Sequence, residues 1–88
     1  MALTSYVLDC RKLTEKVSAH EHLRAVFGFP EYYGNNLDAL HDCVGELAPC
    51  RIYLDESSCI KEENYAALVL AVLTDCAEEA PHIELKLC

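Results

Sequence analysis

The intervals between its strand-like segments constrain this chain more than any other feature. Ser5–Asp9 (SYVLD), Arg51–Asp55 (RIYLD) and His82–Cys88 (HIELKLC) are rich in strand formers, and the last alternates, with Ile83, Leu85 and Leu87 on one face. About forty residues lie between the first and second, and about twenty-five between the second and third. Those intervals exclude tight hairpins and have room for helices. Strands joined by helical crossovers pair in parallel, through right-handed connections. The spacing therefore predicts an α/β fold: one small domain over residues 1–88, with a three-stranded parallel sheet packed with helices. A chain of 88 residues has room for one core and one site.

The intervening segments read as helices. Thr14 and Ser18 are candidate N-caps, and Ser18 with Glu21 makes a capping box. The stripe Leu23, Val26 and Phe27 follows, ended by Gly28. Pro30 starts a loop, Asn35 or Asn36 caps a second helix running to about Leu47, and Pro49 closes that segment. Glu62 or Glu63 opens a third helix, apolar nearly all round to Leu73 and polar over residues 74–79, which Pro81 ends. Such a helix is expected to be buried against the sheet.

Charge narrows the function. There are 15 acidic residues against 7 basic, a net charge of −8. Phosphate binding needs a Lys/Arg patch that this chain cannot build, so a nucleic-acid partner is excluded, and a basic partner is favoured. The longest clean apolar run, Ala66–Leu73, is far short of the roughly 20 residues that cross a bilayer. The first residues, MALTSYVLDC, carry no basic stretch leading into an apolar one, so no membrane association and a cytoplasmic location are expected. There the six cysteines are reduced thiols, and none forms a C-x-x-C pair. No metal or other cofactor is expected.

The second helix carries the most information. At 100° per residue, Leu37, Leu40, Cys43, Val44 and Leu47 gather on one side. Asp38, Asp42 and Glu46 line the other at i, i+4 and i+8, with His41 at the border. Like charges at that spacing repel by a few tenths of a kcal/mol per pair, and residues 25–50 contain no Lys or Arg to offset them. Residues 62–85 also lack both, and hold Glu62, Glu63, Asp75, Glu78, Glu79 and Glu84. If both helices pack on one sheet, their acidic sides merge into one negative surface.

Pro30–Cys43, PEYYGNNLDALHDC, closely resembles the barstar family, intracellular inhibitors of barnase-type ribonucleases. The family pattern there is P-E-Y-Y-G-x-N-L-D-A-L-W-D-C, and His41 is the one departure. The resemblance implies a three-stranded parallel sheet covered by helices. It also implies one-to-one inhibition of a basic extracellular ribonuclease, whose active site is plugged by the acidic helix and its preceding loop. It places an interface tyrosine at Tyr32, the helix-capping asparagine at Asn36 and a first interface aspartate at Asp38. The aspartate that enters the enzyme's phosphate pocket falls on Asp42, and a further acidic contact on Asp75. His41 stands where the family has a packing tryptophan.

Other readings start from the same residues. A barstar-like scaffold could neutralise a different basic partner or toxin, and His41 and Asp75 are the features that raise this reading. Adjacent His41, Asp42 and Cys43 invite a Cys–His enzyme, but neighbours on a helix point about 100° apart and Cys43 falls on the core side. A nucleophile needs its base within hydrogen-bond reach, so a non-enzyme is expected.

Overall fold

A computed structural model of the chain describes residues 4–88. The elements run β1 (Thr4–Asp9), a 3-10 turn (Cys10–Lys12), α1 (Lys16–Phe27), α2 (Leu37–Gly45), β2 (Cys50–Asp55), a second 3-10 turn (Ser57–Cys59), α3 (Tyr65–Glu79) and β3 (Ile83–Leu87). The strands form one sheet in the order β1-β2-β3, and both pairings are parallel. The α/β fold expected from the spacing is the one observed.

Register explains the core. Tyr6, Ile52 and Leu85 lie in one row and Leu8, Leu54 and Leu87 in the next. Their side chains share the face that the helices cover, and Leu8, Ile52 and Leu54 are buried there with Leu23, Leu40, Val44, Val69 and Leu73. Fully burying such a side chain contributes about 1.5–3 kcal/mol. The other face is open. Val7 is 56 % exposed, and its row continues through half-buried Tyr53 to exposed Lys86. Parallel sheets ordinarily bury both faces, so this one depends on its single helical layer.

Several helix boundaries differ from the sequence expectation. The Ser18–Glu21 capping box does not form, because α1 begins two residues before Ser18. Ser18 Oγ instead donates to the Lys12 carbonyl at 3.0 Å. Gly28 ends α1 as expected, at φ 69°, its N–H donating to the Arg24 carbonyl. The second helix stops at Gly45 rather than Leu47, since the N–H groups of Glu46 and Leu47 turn back to the carbonyls three residues earlier. Asn64, not Glu62 or Glu63, caps α3, its side chain accepting from the Ala66 N–H at 3.1 Å. A short amide reaches the first-turn N–H groups better than a glutamate does. The third helix is buried only along Ala66, Val69, Leu73 and Cys76, and Leu68 is 50 % exposed.

Candidate functional site

The loop between α1 and α2 is fixed by a series of aromatic contacts. Tyr6 of β1 packs on Phe27 with ring centroids 4.8 Å apart, Phe27 stacks on Phe29 at 5.2 Å, and Phe29 meets Tyr33 at 4.9 Å. The series ends at His20, a buried polar side chain 1 % exposed. Its Nδ1 lies 2.7 Å from the Tyr33 hydroxyl and its Nε2 2.6 Å from that of Tyr65. Burial, and secondarily Lys16, lower the His20 pKa, so the ring is neutral: one nitrogen donates and the other accepts. One histidine of α1 thus ties the loop to the start of α3.

Tyr32 and Tyr33 consequently have opposite fates. Tyr33 is buried, whereas Tyr32 is 88 % exposed on the outside of the loop. Asn35 adopts the left-handed conformation, φ 53°, and turns the chain into α2. Asn36 caps that helix: its Oδ1 accepts from the Ala39 N–H at 2.7 Å, and its Nδ2 donates to the Gly34 carbonyl at 3.2 Å. A side chain at Gly34 would meet that amide at 3.0 Å. Beside the loop, a cavity of about 240 Å³ is lined by Phe27, Phe29, Pro30, Tyr32, Cys43 and Glu46.

Asp38 stands exposed in the first turn of α2, where the helix dipole favours it. Asp42, one turn on, has a side chain 84 % exposed. His41 lies between the helices. Its Nδ1 is 4.0 Å from Asp42 Oδ1, and its Nε2 is 3.2 Å from Glu79 Oε2 on α3. Beneath it, the Cys76 thiol donates to the His41 carbonyl at 3.6 Å. Burial, followed by the charges of Glu79, Asp75 and Asp42, pushes that thiol up to about 11. A single buried atom therefore senses carboxylates from both helices, and the two acidic sides do merge around His41. Asp75 is exposed, one turn before Glu79. No side-chain hydrogen bond or ion pair among the described residues joins Tyr32 or Asp38 to this cluster.

Glu79 was missed as an individual site residue, although its i, i+4 spacing from Asp75 pointed to it. The His20 network had no sequence signal, because a lone histidine in an amphipathic helix is silent about its partners. Cys43 is half-buried, and burial, then Glu46 and Asp42, raise its pKa. That is the reverse of what a nucleophilic thiol needs. Among the described residues no three His, Cys, Asp or Glu side chains converge so as to hold a metal ion, and no helix is long and apolar enough to cross a membrane.

Residues 3–87 match the family described as Barstar (barnase inhibitor). The chain is also 35 % identical, over 77 residues, to a Bacillus subtilis (strain 168) protein named "Putative ribonuclease inhibitor YrdF"; the match covers 83 % of this chain and 85 % of that one. The chain belongs to the barstar family.

Proposed function

From that membership we propose that the chain inhibits a basic, secreted, barnase-like ribonuclease, one molecule to one, by presenting the exposed face of α2 and the loop before it to the enzyme's active site. The carrying observation is the convergence of Asp42, Asp75 and Glu79 around His41 and Cys76, on helices drawn from two stretches, residues 25–50 and 62–85, that contain no Lys or Arg. A ribonuclease holds phosphate with cationic side chains. A carboxylate on a rigid helix imitates that phosphate and accepts bidentate bonds from Arg. In this reading Asp42 is the phosphate mimic, and Asp38 and Asp75 are flanking acidic contacts. Tyr32 supplies an exposed ring, Asn36 fixes the start of the helix, and His41 occupies the centre. The protein acts as a binding module in the cytoplasm of the cell it protects, and performs no catalysis.

The test is RNA cleavage by a barnase-type ribonuclease with and without the protein, with affinity measured by calorimetry. Asp42→Ala should weaken binding by about 3–5 kcal/mol, as removing one member of a desolvated, hydrogen-bonded ion pair does. Wild-type affinity in that variant would eliminate the phosphate mimic. A second reading, the same scaffold directed at another basic partner, is favoured by one observation. His41 replaces the family's tryptophan and binds Glu79, so the centre of the face is more polar than in the family pattern. Full inhibition failing while a different basic protein binds the same face would select it.

A further inference from the structure

The carboxyl ends of the parallel strands gather three of the six cysteines: Cys10 directly after β1, Cys59 in the turn after β2, and Cys88 after β3. The two 3-10 turns that carry Cys10 and Cys59 pack against each other. Cys10 is fully buried in the core cluster, and half-buried Cys59 packs on that same cluster. Burial first, then Cys59, Asp9 and Asp55, push the Cys10 thiol up to about 11. Arg11, held chiefly by Asp9, is also within range of the Cys59 charge.

The backbone around Cys59 is held in place. Its N–H donates to the carbonyl of Glu56, which adopts the left-handed conformation at φ 58°. Its carbonyl accepts from Asn64 Nδ2 at 2.9 Å, the same residue that caps α3. Cys88 meets this turn through its backbone, its carbonyl accepting the Ser57 N–H at 3.2 Å.

We propose that Cys59 and Cys10 are a thiol–disulfide pair, in which the half-exposed Cys59 reacts first with a low-molecular-weight disulfide such as oxidised glutathione and the buried Cys10 completes an internal disulfide. The Cys59 thiolate attacks one glutathione sulfur, forming a mixed disulfide and expelling one glutathione thiolate. Cys10, deprotonated, then attacks the Cys59 sulfur and expels the second. Two protein thiols lose two electrons, one glutathione disulfide gains them, and the released protons go to the expelled thiolates. Burial makes the second step the slow one. The product closes a loop of about fifty residues and fastens the end of β1 to the β2–α3 crossover. It forms at the carboxyl edge of the sheet, whereas α3 delivers Glu79 to the amino edge, just ahead of β3. Oxidation therefore stabilises the fold and leaves the acidic face free, whatever that face binds.

The folded protein is incubated with oxidised glutathione, unfolded with N-ethylmaleimide present, and analysed by intact mass and peptide mapping. Four of six thiols should be labelled, with a peptide linking Cys10 to Cys59. The melting temperature should rise by roughly 10–30 °C and return on adding dithiothreitol. Cys59→Ala should abolish the linked peptide, and Cys88→Ala should leave it intact. Six labelled thiols, a glutathione adduct that persists on Cys59, or a Cys59–Cys88 linkage would each overturn the proposal. Because mapping the wild-type protein decides the matter alone, a variant that fails to fold does not rescue it.

Discussion

Replacing Tyr33 by Phe removes one oxygen atom and tests how the loop is held. His20 is 1 % exposed, and both ring nitrogens end on tyrosine hydroxyls at 2.7 and 2.6 Å. Tyr33→Phe leaves Nδ1 facing a ring edge in a place water does not reach. A tautomer change lets Tyr65 keep its bond to Nε2 in either role, but it cannot pair Nδ1. The cost is the desolvation of one buried polar atom, about 1–3 kcal/mol. The ring itself remains, so the Phe29 and His20 contacts survive and no cavity opens. For a domain of this size each kcal/mol lowers the melting temperature by roughly 4–8 °C. Calorimetry or circular dichroism should therefore show a fall of roughly 5–20 °C.

A second comparison separates the hydrogen bond from general damage to packing. In Tyr33→Phe/Tyr65→Phe, His20 loses both partners. Adding His20→Leu to that pair removes the orphaned polar atoms altogether, and an apolar replacement of a whole polar group is nearly neutral. The triple variant should accordingly melt higher than the double. A wild-type melting temperature in Tyr33→Phe would mean that the unpaired buried nitrogen carries no penalty. A triple variant less stable than the double would mean the same.

Three further outcomes follow from the same geometry. His20 and His22 both have lowered pKa values, chiefly from burial, with Lys16 and Lys12 respectively adding to it; the unfolded chain takes up protons near the ordinary value of about 6.5, so the urea midpoint should fall as pH drops below that value and stay level with respect to these groups above it. His20→Leu in the double Phe background should flatten part of that slope. Association with a basic ribonuclease should slow markedly as salt rises from low to physiological, because a −8 chain is steered by a long-range field; stopped-flow rates independent of salt would place binding elsewhere. His41→Trp should tighten binding to a barnase-type enzyme by about 1–3 kcal/mol from added ring area, and calorimetry showing no gain would mean that the His41–Glu79 link is worth as much to the complex as the tryptophan surface.

Features set by local chemistry were readable in the sequence, and those set by distant partners were not. A cap at Asn35 or Asn36 was readable because capping needs only an amide and a nearby backbone N–H, and the structure selects Asn36. Strand positions and parallel pairing followed from residue type and interval. The Ser18 box failed because the helix start is a competition, and the Ser18 hydroxyl found the Lys12 carbonyl instead. Tyr32 and Tyr33 are chemically identical neighbours, and it is Tyr33 that turns inward, onto Phe29 and onto His20 thirteen residues before it. Tyr65 is a further 32 residues along the chain, so nothing local announces that bond.

The same distinction bears on how the acidic face is built. Three carboxylates on one helix repel, and that repulsion was visible in the spacing. What tolerates it was not visible. Asp38 has the helix dipole, and Asp42 stands 4.0 Å from His41 Nδ1, whose Nε2 lies 3.2 Å from Glu79 on α3. The histidine that stands where the family has a tryptophan is also the side chain that bridges the two acidic helices. The face is in turn carried by two helices joined through Cys76 and the His41 carbonyl, while its loop is fastened by His20 to the first helix and the third. The two histidines thus do complementary work. His20, buried and neutral, ties the loop to the start of α3, and His41, at the surface, stands between a carboxylate of α2 and one of α3.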